Sequence, residues 1–217
     1  MTERTLDVVE SEAFVEKYDI KFSPSGMATN EEDAVKIANE LGYPVVMKVV
    51  SSDIVHKTEV KGVRMWIDDD FEVKKAYQKI THSVMSRFPE AKIKGMQIQK
   101  QMGGYEIIVG GKRDPQFGPV VMFGLGGVFV EVLEDVSLRV APVSKRDIKE
   151  MIQEIKGYPT LTGLRGKKAA NMDAIEEVIQ KISDLMVKEE NVVELDLNPM
   201  FADCRGVTGA DARVVLK

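Results

Sequence analysis

An α+β fold in two lobes is the class the sequence predicts, and three observations predict it. The chain has 217 residues, a length between one large domain and two small ones, so two modest cores can be buried without disulfide or metal staples. Strand-like runs are punctuated by helical ones without the regular βαβ alternation of a parallel sheet. Around Gly95 the texture changes, and short strands begin to alternate with glycine-bearing turns. The lobe boundary is therefore expected there, with one lobe over 1–95 and the other over 96–217.

Taken in order, the first segment sets Leu6, Val9, Ala13 and Phe14 on one helical face and ends at the turn-like Phe22-Ser23-Pro24-Ser25-Gly26. Thr29 and Glu32 have capping-box spacing, Ala34, Ile37, Ala38 and Leu41 recur at helical intervals, and Gly42 is placed to end that helix. Val45 to Val50 is apolar and rich in β-branched residues except for Lys48, which suits a buried strand carrying one cation. A polar loop, Ser51 to Lys61, leads to the alternating Val63, Met65 and Ile67, and then Val73, Ala76, Ile80 and Val84 form the stripe of a further helix. Beyond Gly95, strands are expected near Met96 to Met102, Glu106 to Val109 and Pro119 to Phe123. Helices follow near Lys145 to Ile155 and Asp173 to Lys188, and a closing strand pair covers Val192 to Leu197 and Ala212 to Leu216. The chain shows no internal repeat and no low-complexity tract.

Thirty basic residues against 35 acidic ones give a net charge of -5. That balance offers no electrostatic footprint for nucleic acid or an anionic membrane surface. The single cysteine, Cys204, excludes a disulfide framework within the chain and a cysteine-based metal set, and its plain reading is an inert small hydrophobe. The first residues are interrupted by acids and lack the build of a secretory signal, and no apolar stretch approaches the roughly 20 residues of a membrane span. A soluble, cytoplasmic protein is expected.

Four groups of residues stand out. Lys48 in its apolar strand would be costly to bury alone, so it meets an anion such as phosphate, pairs with an acid, or snorkels to water. Asp196 and Asn198, two apart on a strand, share a face, and a returning strand can bring Asp211 beside them; this is either a hard-oxygen site of the kind magnesium takes with substrate phosphates or a solvated turn. His56 sits in the polar loop, where a mostly neutral imidazole can accept a phosphoryl group or do nothing of the kind. The glycines at 103–104, 110–111 and 124–127 either let backbone amides approach phosphates or form hairpin turns, and none completes a P-loop or a dinucleotide fingerprint.

Together these stretches resemble one family. Tyr43-Pro44-Val45-Val46-Met47-Lys48-Val49-Val50-Ser51-Ser52-Asp53-Ile54-Val55-His56-Lys57-Thr58-Glu59-Val60, the long run from Lys112-Arg113-Asp114-Pro115-Gln116-Phe117-Gly118 through Gly124-Leu125-Gly126-Gly127 to Val132, and Asp196-Leu197-Asn198-Pro199 with Asp211-Ala212-Arg213 resemble the ATP-grasp domain of the ADP-forming acyl-CoA synthetases. The resemblance implies an ATP-grasp fold with nucleotide bound between two lobes. It implies that Lys48 contacts nucleotide phosphate, that Gln99, Lys100 and Gln101 form the hinge segment beside adenine, that Glu106 lies near the ribose, and that Arg139 adds a phosphate contact. Asp196, Asn198 and Asp211 resemble the set that holds Mg2+, which bridges phosphate oxygens. The family interconverts acyl-CoA, ADP and phosphate with free acid, ATP and CoA.

A CoA-binding α subunit carrying the principal phosphohistidine is implied as partner, in an α2β2 heterotetramer. His56 resembles the histidine that relays the phosphoryl group to ADP. Where the family has a Gly-Gly pair after that loop, this chain has Lys61-Gly62, which restricts the turn and adds a charge. Two other functions fit an ATP-grasp chain: a stand-alone carboxylate–amine ligase, which needs its own carboxylate pocket, and a nucleotide-sensing module of an acetyltransferase assembly. The intact Lys48, His56, Asp196, Asn198 and Asp211 speak against a degenerate module.

Overall fold

The computed structural model describes residues 3–51, 53–54, 60–127, 134–164, 166 and 168–217. They fall into two compact units, Ser23–Met102 and Met1–Phe22 with Gly103–Lys217.

The smaller unit is a four-stranded antiparallel sheet with helices on one face. Its strands are β2 (Ser25–Ala28), β3 (Val45–Val50), β4 (Val63–Ile67) and β5 (Gly95–Lys100), in the order β2-β5-β3-β4. Helix α2 (Glu31–Leu41) begins at Asn30, whose side chain accepts from the Asp33 N–H, so the cap falls one residue after the expected Thr29. It ends at Gly42, whose φ of 73° is open to glycine at little cost. Helix α3 (Asp70–Arg87) is capped by Asp69. The pleat then sorts the strands: Val45, Met47, Val49, Met96 and Ile98 pack under Ala34, Ala38, Val73, Ile80 and Val84, while Val46, Lys48, Gln97 and Gln99 turn to the other face.

The larger unit holds β1 (Arg4–Thr5), β6 (Tyr105–Asp114), β7 (Gly118–Leu125), β8 (Val136–Val140), β9 (Val192–Ala202), β10 (Val207–Gly209) and β11 (Arg213–Leu216). The sheet runs β1-β11-β9-β6-β7-β8, with β10 beside β9, and the pairs are antiparallel. Helix α1 (Val8–Glu16), α4 (Lys145–Glu154), the single turn α5 (Tyr158–Leu161) and α6 (Met172–Lys188) complete it. Val109, Val121, Phe123, Leu195, Leu197 and Val214 pack with Ile148, Met151, Ile175, Ile179 and Ile182 in one core. The opposite sheet face carries the alternate residues, among them Lys112, Gly110, Asp196 and Asn198.

Several sequence expectations are corrected. The boundary does not fall at 95: Gly95–Lys100 pairs with β2 and β3 and belongs to the smaller unit, which ends at Met102. The first 22 residues belong to the larger unit, because β1 pairs with β11 and Val15 and Ile20 enter that unit's core. In α1, which starts at the capping box of Asp7 and Glu10, the buried positions are Val8, Ser11, Glu12 and Val15, and Val9 is exposed, because Val8 and Val15 are the pair that meets the unit. Gly110 and Gly111 lie inside β6 rather than in a turn. Ser25 and Gly26 open strand β2, and Cys204 is exposed in a turn.

Candidate functional site

In the smaller unit the site is built on β3 and β5. Lys48 pairs with Gln97, and Val46 pairs with Gln99, so the lysine and both glutamines share the face away from the helices. Lys48 is 5 % exposed and Gln99 1 %. The Lys48 ammonium donates to Gln99 Oε1 at 2.8 Å. An ammonium has no lone pair, so the Gln99 amide must present its oxygen there, and its Nε2 is left buried without a hydrogen-bond partner. Gln97 Nε2 donates to Ser25 Oγ at 3.2 Å. This neighbourhood of Lys48 could be anticipated only in part, because polar residues two apart on a strand give no sign of which strand they will oppose.

The other hinge candidates are committed elsewhere. Lys100 lies on the helix face, where its ammonium donates to the carbonyls of Gly42 at 2.7 Å and Tyr43 at 2.9 Å, closing the C-terminus of α2. Gln101 accepts from the Trp66 N–H and donates to the Met102 carbonyl. His56 lies outside the described residues. Lys61, just after its loop, has a φ of 55°, so the backbone takes the left-handed conformation that a glycine would adopt freely.

In the larger unit Arg213 opposes Asp196, and the Ala210 N–H donates to the Pro199 carbonyl, which sets Asp211 opposite Asn198. Asp196, Asn198 and Asp211 thus lie on one sheet face, on β9 and on the chain just before β11. Asp196 Oδ1 is buried with no hydrogen-bond partner. Burial pushes the Asp196 carboxyl up to about 6; Arg213 works against this, and Glu194 and Asp211 add to it. Arg213, whose Nη1 donates to Glu194 Oε1 at 2.6 Å, is a neighbour the sequence showed only as part of a motif.

Among the described residues no three His, Cys, Asp or Glu side chains could hold a metal ion by themselves. The present set still fits Mg2+: hard oxygens on one face, one of them a carboxylate oxygen with nothing to accept from.

Glu106 is exposed at the start of β6, and its Oε2 lies 2.9 Å from where a Cβ on Gly127 would stand. Gly127, at a φ of 66°, therefore keeps space open beside that carboxylate. Arg139 is placed differently from expectation. It pairs with Val121 and so lies on the helix-covered face, opposite to that of Asp196. There it donates twice to Glu154, at 2.9 Å and 2.6 Å, which also accepts from Ser137. That fork fastens β8 to α4 and leaves no guanidinium for a phosphate on the Asp196 face.

Comparison with known proteins was made against this geometry. A family model described as an ATP-grasp domain matches residues 1–216. The chain is 45 % identical over 214 residues to the β subunit of acetate–CoA ligase (ADP-forming) I from Pyrococcus furiosus, covering 98 % of this chain and 92 % of that one. It is 47 % identical over 203 residues to acetate–CoA ligase (ADP-forming) I from Archaeoglobus fulgidus, of which it spans only 30 %. Acetyl-coenzyme A synthetase 1 of Ca. Korarchaeum cryptofilum superposes with a TM-score of 0.94 at 43 % identity, covering 99 % of this chain and 94 % of that one, in a complex with coenzyme A and Ca-AMPCP. The same protein with coenzyme A and Mg-AMPPCP, its phosphohistidine segment pointing towards the nucleotide-binding site, gives a TM-score of 0.83 at 39 % identity, covering 99 % and 93 %.

Proposed function

The chain belongs to the ATP-grasp family, in the branch of the ADP-forming acetate–CoA ligase β subunits, and from that premise we propose that it is the nucleotide-binding subunit of an ADP-forming acyl-CoA synthetase. Its reaction is acyl-CoA, ADP and phosphate giving free acid, ATP and CoA, with acetate as the acid. The observation that carries this reading is the half-buried Asp196 carboxylate, with its Oδ1 buried and unpartnered, on one face with Asn198 and Asp211.

On this reading Asp196, Asn198 and Asp211 hold Mg2+, which when bound neutralises charge on the polyphosphate. Lys48 meets a phosphate oxygen. The Gln99 Nε2–H, aimed by the Lys48 contact, is free to donate to a nucleotide oxygen. Glu106 accepts from the ribose. Lys100, Gln101 and Arg139 take no side-chain part, since each has its partners within its own unit.

His56 is proposed as the carrier: an imidazole nitrogen takes the phosphoryl group from the partner's phosphohistidine, breaking one P–N bond as another forms, and passes it to an ADP oxygen, forming P–O as P–N breaks. The partner is a CoA-binding α subunit, in an α2β2 assembly, in the cytoplasm. Among the described residues no helix is long and apolar enough to cross a membrane.

The test is acyl-CoA-dependent ATP formation by the chain mixed with its CoA-binding partner. The chain alone is expected to bind Mg-ADP and to make no ATP. His56→Ala is expected to keep Mg-ADP binding and abolish phosphoryl exchange with the partner. Exchange at the wild-type rate would remove His56 from the mechanism.

A further inference from the structure

The open face of the larger sheet is not uniformly polar. Beyond the Asp196 rung lies a hollow of about 460 Å³ lined by Lys112, Asp114, Phe117, Val120, Leu138, Arg139 and Val140. Its apolar side chains are bare: Phe117 is 60 % exposed, Leu138 55 % and Val140 51 %. Three such side chains around one concavity form a patch, which marks an interaction site far better than scattered exposed apolar residues do. Phe117 is also held in place. Asp114 Oδ1 accepts from the Gln116 N–H at 2.7 Å and the Phe117 N–H at 2.9 Å, pinning the hairpin tip that carries the ring. A large aromatic presented on a braced turn is the kind of residue that anchors an interface.

The register locates this hollow relative to the metal set. Gly110 pairs with Asp196, and Lys112, two residues further along β6, pairs with Glu194 and with Val120; Val120 in turn pairs with Val140. The hollow therefore opens on the same face as Asp196 and begins roughly 7 Å further along the strands. A segment seated there is next to the phosphoryl-transfer face without occupying it. The relatives supply the occupant. This chain spans 30 % of the single-chain Archaeoglobus enzyme but 92 % of a separate β subunit from Pyrococcus. Where the two parts are separate chains, a surface must hold them together.

We propose that the hollow formed by Phe117, Val120, Leu138 and Val140 is the docking site of the CoA-binding subunit, which seats an apolar part of its surface there and so delivers its phosphorylated histidine to the Asp196 face. This rests on the function proposed above and adds to it the place of contact.

The test uses the full chain and the CoA-binding subunit purified with it from the native host and identified by retention on immobilised coenzyme A. Two variants, Phe117→Ala with Leu138→Ser and Phe117→Ala with Val140→Ser, are compared with the wild type. Folding is followed by melting temperature, Mg-ADP binding by calorimetry and pairing by sedimentation velocity. Both variants are expected to melt and bind Mg-ADP as the wild type does, while their dissociation constant for the CoA-binding subunit rises at least tenfold. If the wild type pairs and both variants pair within twofold of it, the docking site is wrong and the proposed function stands. If the variants lose only self-association, the face belongs to a second copy of this chain and the inference is overturned. If the wild type binds Mg-ADP but never the CoA-binding subunit, the proposed function falls and this inference with it.

Discussion

Gln99 and Asp196 each hold one buried polar atom without a hydrogen-bond partner, Nε2 and Oδ1. A buried amide donor without an acceptor costs about 1–3 kcal/mol, so the orphaned Gln99 Nε2 is a standing expense unless a ligand oxygen meets it. Gln99→Glu keeps the shape but replaces the donor with a carboxylate oxygen and binds the Lys48 ammonium in an ion pair. Mg-ADP affinity is expected to fall by at least about tenfold, roughly 1.4 kcal/mol, with adenosine binding unchanged. Equal weakening of both, measured by calorimetry, would show that Gln99 has no special tie to phosphate. Asp196 makes a pH-dependent contribution. Burial raises its pKa to about 6 in the folded chain, above its unfolded value, so the folded state holds the extra proton more tightly. The metal-free protein therefore gains stability through this group as pH falls from about 7 towards 4, and loses it as pH rises through about 6. Asp196→Asn removes that burden: the metal-free melting temperature should rise at pH 7.5, by an equivalent on the order of 1–3 kcal/mol, and the gain should shrink towards pH 4. The same variant should lose the stabilisation that Mg-ATP confers on the wild type.

At the scale of elements, strand β6 does two jobs on its two faces. Gly110 faces the other side across from Asp196, where a Cβ would meet the Leu195 carbonyl oxygen at 2.9 Å and Met122 Cε at 3.4 Å. Gly111 faces α6, and a Cβ there would stand 2.5 Å from Met186 Cγ, so the helix rests directly on the strand backbone. Gly111→Val should force α6 outward or Met186 out of its rotamer, costing about 1–3 kcal/mol. Chemical denaturation would read this as a lower midpoint, and an unchanged midpoint would mean the helix tolerates a larger spacing. Five helix starts follow one rule: Asp7, Asn30, Asp69, Ser144 and Asn171 each accept from the N–H three residues on. The caps decide where α1 and α2 begin, whereas packing on the rest of the larger unit decides which face α1 buries, so spacing of apolar residues alone showed neither that face nor the cap of α2. The Arg139–Glu154 fork is likewise an element-level device, joining β8 to α4.

At the scale of the whole molecule, the chain builds its larger unit from its two ends. Leu6 N–H donates to the Val214 carbonyl, Ser11 Oγ accepts from the Val214 N–H, and Gly209 N–H donates to the Lys21 carbonyl. The fragment 103–217 should therefore be markedly less stable than a form that also supplies residues 1–22, whereas 23–102, contiguous and with its own core, should melt cooperatively alone. Circular dichroism melting of the three fragments checks this; equal stability of 103–217 with and without residues 1–22 would contradict it. By itself the sequence determined the class of fold, the helices and strands with strong periods, the buried lysine strand, and the shared strand face of Asp196 and Asn198, because each is written within a few residues of chain. Only the tertiary structure decided that Gln99 and not Lys100 faces Lys48, that Arg139 lies on the far face from Asp196, and that residues 1–22 complete the larger unit. Those depend on which strands become neighbours and in what register, and register is set by contacts between residues far apart in the chain.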